Sequence, residues 1–326
     1  MRCSIGKRAR WSAGVRAAVI AAAVLLQASA PAPDRAPFTV GVLRRDGALL
    51  PFAAWDGRRW SVPWPSDERH AIPIAVSDVP KKWWGPVGPQ RAWTAWLTDG
   101  SSREVHLTGV RRMPVFCSTR TALLTDYRGE LAPAGEPTVP KDGVAIAGDV
   151  LVHEIARVSA QSPDWAATAV RLLPAFNDAE NAAIRSFYGW RHPFPDDERH
   201  ARPIDIEAIY RTHVDDGLVS YVEAVRSYPP RAGDEGCGLI TFVSGWVLEH
   251  GEGDPQYELE GRIAYCDRND VAFMQPLGWV QPDGHVYWIY QLSSWRDEAY
   301  AVTRVAADEI EDEVLYSGGW CPATDR

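Results

Sequence analysis

Two copies of Asp-Glu-Arg-His, at Asp67–His70 and Asp197–His200, set two carboxylates, a guanidinium and an imidazole in consecutive positions. Such groups can move a proton near neutral pH, hold a divalent metal, or satisfy one another in a tight turn. Each tetrad sits inside a longer match. WSVPWPSDERHAIPI, Trp60 to Ile74, recurs 130 residues later as WRHPFPDDERHARPI, Trp190 to Ile204, with ten of fifteen positions identical and no gap. A functional reading makes Glu68, His70, Glu198 and His200 a metal or proton-transfer constellation meeting between two halves of the chain. A structural reading has the carboxylates cap backbone amides while the arginine bridges to one of them, in a corner fixed by prolines. The structural reading ranks first, because paired charges in ordered loops more often satisfy each other than react.

Other chemical signatures break on inspection. His153-Glu154 begins like a zinc-protease helix, but Arg157 stands where the second histidine belongs. Cys117, Cys237, Cys266 and Cys321 lack the close pairing of a zinc site. No GxSxG nucleophile elbow and no phosphate-cradling glycine loop occur. The acidic run Asp308–Glu313 reads as a solvated segment. No cofactor and no metal is implied. Tryptophan is the remaining signal: seven of fifteen fall between Trp55 and Trp96, within 42 residues. Trp60 and Trp190 recur in the repeat and read as structural, whereas adjacent Trp83 and Trp84 cannot both point inward on a regular strand. That pair is the candidate ligand-binding surface, suited to stacking on a sugar or anchoring a protein partner.

The elements that must position these residues start after a leader. Arg2, Lys7, Arg8, Arg10 and Arg16 precede the apolar run Ala17–Leu26 and Ala28-Ser29-Ala30, the layout of a cleaved secretory signal over residues 1–30. Residues 31–37 then read as a flexible N-terminus. Removal of the leader moves the net charge from −9 to about −14, which disfavours nucleic acid as a partner. No later segment approaches the roughly 20 apolar residues of a membrane span. The mature chain is expected to be periplasmic or extracellular.

The repeat implies two tandem related halves, about 38–165 and 166–326, and apolar spacing is kept when the match is extended outward: Val40–Leu43 faces Val170–Leu173, and Val76 and Val79 face Ile206 and Ile209. Farther on, Val110–Pro114 resembles Val225–Pro229, each shortly before a cysteine. Arg128–Gly143 reads as a long surface loop. Leu218–Val225, Leu239–Leu248, Val271–Val280, His285–Leu292 and Ala299–Val305 are rich in β-branched and aromatic residues between turn signals. The expected fold is mainly β, with two antiparallel sandwich-like domains and one short helix near 178–188 that ends at Gly189. A β-propeller-like arrangement is the alternative, weakened by the lack of a repeat near 45 residues.

Four cysteines in an exported chain suggest two disulfides. A hairpin of Leu239–Leu248 with Gln256–Tyr265 puts Cys237 opposite Cys266, pairs Trp246 with Tyr257, and leaves Cys117 with Cys321 or both as free thiols. The rival pairing joins the repeat equivalents Cys117 and Cys237. The first functional expectation is a secreted binding or assembly module using an aromatic surface, for carbohydrate or another exported protein. A secreted carbohydrate hydrolase is the alternative, with Trp83 and Trp84 holding the sugar and Glu68 and Glu198 as the carboxylate pair, which requires a separation of about 5–10 Å. A metal-dependent site at His70 and His200 is the third.

Overall fold

Strong β-formers dominate the N-terminal third, and in the computed structural model they close into a ring. The structure describes residues 36–66, 73–129, 141–186, 190–215, 217–230, 237–251, 253–269 and 271–321. The leader, residues 31–35, Glu68, His70, Gly189 and the middle of the Arg128–Gly143 loop lie outside the described residues. β1 (Phe38–Arg44), β2 (Ala48–Trp55), β3 (Trp60–Ser61), β4 (Ala92–Leu97), β5 (Ser102–Val115), β6 (Ser118–Thr125) and β7 (Lys141–Ala147) form one antiparallel sheet in the order β1-β7-β4-β5-β6-β2-β3. Because β1 also pairs with β2, six strands close into a barrel and β3 hangs from β2. Every residue of β1 and β2 is buried, as a wall needs when side chains fill the inside and another layer covers the outside.

That outer layer comes from the C-terminal third. After β8 (Ala156–Arg157) and two helices, α1 (Pro163–Ser186) and α2 (Asp196–His200), two meanders follow. The first is β9 (Asp205–Val214), β10 (Gly217–Ser227), β11 (Leu239–His250) and β12 (Gln256–Tyr265), with β8 at its far edge. The second is β13 (Phe273–Val280), β14 (Val286–Ser293), β15 (Asp297–Val305) and β16 (Ile310–Trp320). The protein is thus mainly β with antiparallel sheets throughout, as the sequence implies.

The β13–β16 sheet is the middle layer. In β14, Tyr287 and Ile289 join the barrel core, whereas Val286, Trp288 and Tyr290 join the core shared with the β8–β12 sheet. Alternation of side chains between faces explains why the strand reads as an unbroken apolar run: both faces are covered. On the barrel side Trp55 and Trp60 meet the Tyr287 ring at 5.9 and 5.5 Å. On the other side Trp246 meets Trp288 at 5.0 Å.

The remaining face of the β8–β12 sheet is covered by α1. The Ser162 hydroxyl accepts the Trp165 backbone N–H at 3.3 Å, Pro163 occupies the first turn, and Asp164 follows it. Capping side chain, proline and acid at a helix start all favour initiation there. The helix therefore starts some fifteen residues before the expected boundary near Asp178. Leu172, Phe176 and Ala179 pack on Val222, Val243 and Val247. Gly261 of β12 lets the helix lie close, since a Cβ there would stand 2.6 Å from the Ala179 carbonyl oxygen.

The favoured disulfide Cys237–Cys266 forms, and of the two states left open for the other pair Cys117–Cys321 is bonded, with Cα atoms 5.6 and 4.7 Å apart. The hairpin register differs by one residue from the expectation: Trp246 pairs with Glu258, and Leu248 with Gln256. The one-residue slip exchanges the faces of β12. Tyr257 and Leu259 thereby turn toward α1, and Glu258 and Glu260 are exposed. The cysteines bond all the same, because they lie just beyond the ladder, where the Cys266 N–H meets the Gly238 carbonyl. The halves also differ at the extended offset: Val40–Leu43 is strand β1 and Val170–Leu173 is helix α1.

Candidate functional site

Among the described residues of the second tetrad, arginine is the one drawn into the core. α2 presents Arg199, 2% exposed, to Glu180 of α1, 0% exposed, with Nη1 donating to Oε2 at 2.8 Å. Arg226 of β10 donates to the same oxygen at 2.7 Å, while the Tyr228 and Thr241 hydroxyls donate to Oε1 at 2.5 and 2.6 Å. Asn181 and Asp196 take the other Arg199 terminus, each through an oxygen on Nη2, at 2.8 and 2.5 Å. Side-chain hydrogen bonding and the charge of Arg199 hold the Asp196 carboxyl below its ordinary range. Glu198 is exposed and pairs with Arg202 at 2.9 Å; His200 is half-buried. Glu180, Asp196 and Glu198 are thus each engaged by an arginine.

Trp83 and Trp84 are each 3% exposed. They lie in the 3₁₀ segment Lys81–Val87, where neighbouring residues need not alternate, and both rings meet Trp64 edge-on at 5.4 and 6.1 Å. So placed, they offer no open face for stacking on a sugar. Among the described residues no three His, Cys, Asp or Glu side chains gather as a metal site.

A cleft lies elsewhere, where the two meanders face each other. It measures about 680 Å³ and is walled on one side by Tyr221, Phe242, Ser244, Glu260 and Arg262 of β10–β12. The opposite wall is Leu292 at the end of β14 and the turn that carries Ser294, Arg296 and Asp297. Cys321 lines it too, so the Cys117–Cys321 bridge ties the barrel's β5–β6 hairpin to the cleft. Glu260 and Arg262 pair at 2.7 Å. The turn is rigid: the Ser294 hydroxyl donates to the Asp297 carboxylate at 2.6 Å and accepts the Arg296 N–H at 3.1 Å. Trp295, 65% exposed, is on this turn, and Trp320, 53% exposed, precedes Cys321.

Register sets the chemistry of the first wall. Glu223, Ser244 and Glu260 pair across three adjacent strands, so all three share the face turned to the other meander. Glu223 is buried and accepts the Met274 N–H of edge strand β13 at 2.6 Å. Burial pushes its carboxyl up to about 7, and Glu207 adds to the rise, whereas the Met274 N–H and Arg157 oppose it. Burial also pushes the Tyr221 phenol up, an effect the Ser244 hydroxyl reduces.

Ser244 and Arg296 carry no sequence signature, and only the facing of two sheets brings them to one cleft. The Ser-Trp-Arg-Asp turn between two apolar strands was the available signal. No protein-family model matches the chain, and no similar curated protein or solved structure was found.

Proposed function

We propose that the chain is an exported binding protein that takes a small ligand in the cleft between its two C-terminal meanders. The observation carrying this reading is the cleft itself: about 680 Å³, within the several-hundred-Å³ range of small-molecule sites, with a lining that mixes charged and polar groups with the apolar side chains of Phe242, Ile263 and Leu292. Trp295 and Trp320, exposed and adjacent in sequence to the cleft residues Arg296 and Cys321, are the large aromatic side chains open to solvent near it. Export rests on the basic and apolar leader, on two disulfides and on a charge unsuited to nucleic acid. No helix among the described residues is long and apolar enough to cross a membrane.

The test is a thermal-shift and calorimetric screen of mono- and oligosaccharides, amino acids and small organic acids on the mature protein, beside Ser244→Trp, which fills the cleft. Binding that the tryptophan removes supports the reading. Binding equally strong in Ser244→Trp places the ligand elsewhere and rejects it.

A carbohydrate hydrolase is the second reading, favoured by one observation. Glu223 and Glu260 lie on one face two strands apart, so their backbones are about 10 Å from each other, close to the separation of an inverting acid–base pair. Glu223, protonated up to about 7, has the character of an acid. It ranks second because the Glu223 carboxyl is buried on the β13 edge and must leave Met274 to reach a sugar. Release of reducing ends from a polysaccharide, abolished in Glu223→Gln, would promote it.

A further inference from the structure

We infer that the cleft ligand is a small organic carboxylate with an aromatic or aliphatic body, and that Arg296 is the residue that holds its charge. This assignment rests on the binding reading above. The two guanidinium groups of the cleft differ in their state. Arg262 is engaged by Glu260 at 2.7 Å. Arg296 is half-buried, and no ion pair or side-chain hydrogen bond to another described residue involves it. Its backbone, in contrast, is pinned from both sides: its N–H donates to the Ser294 hydroxyl at 3.1 Å and its carbonyl accepts the Cys321 N–H at 2.7 Å.

A fixed stem with an unspent five-donor head is prepared for a planar anion. Guanidinium and carboxylate match fork to fork, and a partly desolvated site strengthens the pair over its value in water. Asp297, the nearest acid in sequence, accepts from the Ser294 hydroxyl and forms no ion pair with Arg296. Phe242, Leu292 and Tyr221 line the same space and supply the apolar contact for the rest of the ligand. Among the described residues lining the cleft, Arg296 is the guanidinium without an ion pair, and the acidity of the mature chain, net charge about −14, disfavours polyanions.

The experiment uses matched pairs on the full mature chain: phenylacetate with phenylacetamide, and indole-3-acetate with indole-3-acetamide, followed by calorimetry and ligand-observed NMR. The acids should bind about tenfold or more tightly than the amides, and Arg296→Gln should bring acid and amide to equal affinity. Because the Arg296 head has no described partner, the variant should keep the wild-type melting temperature and circular dichroism. Equal binding of acid and amide to the wild type overturns the assignment, as does an acid preference that survives Arg296→Gln. If neutral compounds bind and Ser244→Trp blocks them, the cleft stands and the carboxylate assignment alone falls. If no probe of any class binds, both fall.

Discussion

The Arg199 guanidinium lies 2.8 Å from Oε2 of Glu180, so the second tetrad docks through its arginine on the C-terminal third of α1. Arg226 shares that oxygen from below, and one carboxylate thus ties α1, α2 and the β8–β12 sheet together. Removing the shared charge leaves Arg226 fully buried without a counter-charge and Arg199 with Asp196 alone. Glu180→Gln is expected to cost about 3–5 kcal/mol. Urea unfolding followed by tryptophan fluorescence measures it; a loss below about 1 kcal/mol would mean that the joint is not needed. Glu198→Gln, on the exposed side of α2, should change stability by under about 0.5 kcal/mol in the same assay.

Glu223 makes stability depend on pH in a stated direction. Its carboxyl titrates at about 7 when folded, against 4.5 as the ordinary value. A raised folded value means that the folded state binds the proton better. Its contribution is complete below about 4.5, and is lost as pH rises through about 7. The loss amounts to about 3 kcal/mol at most, from 1.36 kcal/mol for each unit. Glu223→Gln keeps an acceptor for the Met274 N–H and removes the charge, so it should flatten this part of the curve and stabilise the protein at pH 8. Urea midpoints from pH 4.5 to 8 decide it: parallel curves for variant and wild type would refute the titration.

The strands of the two meanders were legible because each needs only its own alternation and local turns. Leu218–Val225, for example, is read from sequence within two residues of the observed β10. The α1 start was also written in the chain, as Ser162-Pro163-Asp164, but the stronger-looking Ala-rich stretch after Asp178 masked it. Barrel closure was not legible, because β1 pairs with β7 about a hundred residues later, and nothing local encodes that match. Trp83 and Trp84 misled for a different reason: the alternation rule holds for strands, and they sit in a 3₁₀ segment. The cleft was the least legible feature. Its walls come from strands some fifty residues apart, and residues such as Ser244 and Arg296 acquire meaning only through facing each other.

Gly261 sets the distance between α1 and β12. A methyl at this position would meet the Ala179 carbonyl oxygen at 2.6 Å and the Ala183 Cβ at 3.2 Å, and the first of these is backbone that cannot rotate aside. Gly261→Ala should therefore push the helix off the sheet and cost about 1–3 kcal/mol, the usual range for overpacking. Gly251, in the β11–β12 loop with open space around it, has a φ of 57°. Its alanine variant tests backbone strain without a clash, and should cost about 1 kcal/mol. Equal midpoints for Gly261→Ala and wild type would show that the helix seat is loose.

The Cys117–Cys321 bridge should matter for binding as well as for stability. It closes a sequence separation of 204 residues, for which the chain-entropy account gives a stabilisation of about 5 kcal/mol, against about 4 kcal/mol for Cys237–Cys266. Beyond that, Cys321 donates its N–H to the Arg296 carbonyl, and neighbouring Trp320 exchanges hydrogen bonds with Ser118, its N–H going to the hydroxyl and its carbonyl accepting from it. Cutting the bridge loosens one side of the turn that carries Arg296, whereas Cys237–Cys266 closes the open end of the β11–β12 hairpin, beside Gly238 and Tyr265, and does not itself line the cleft. Cys117→Ser/Cys321→Ser should weaken phenylacetate binding about tenfold under conditions where the protein remains folded. Cys237→Ser/Cys266→Ser should lower the melting temperature with affinity little changed. Calorimetry on the two double variants separates these effects, and equal affinity losses in both would show that the bridges act only through global stability.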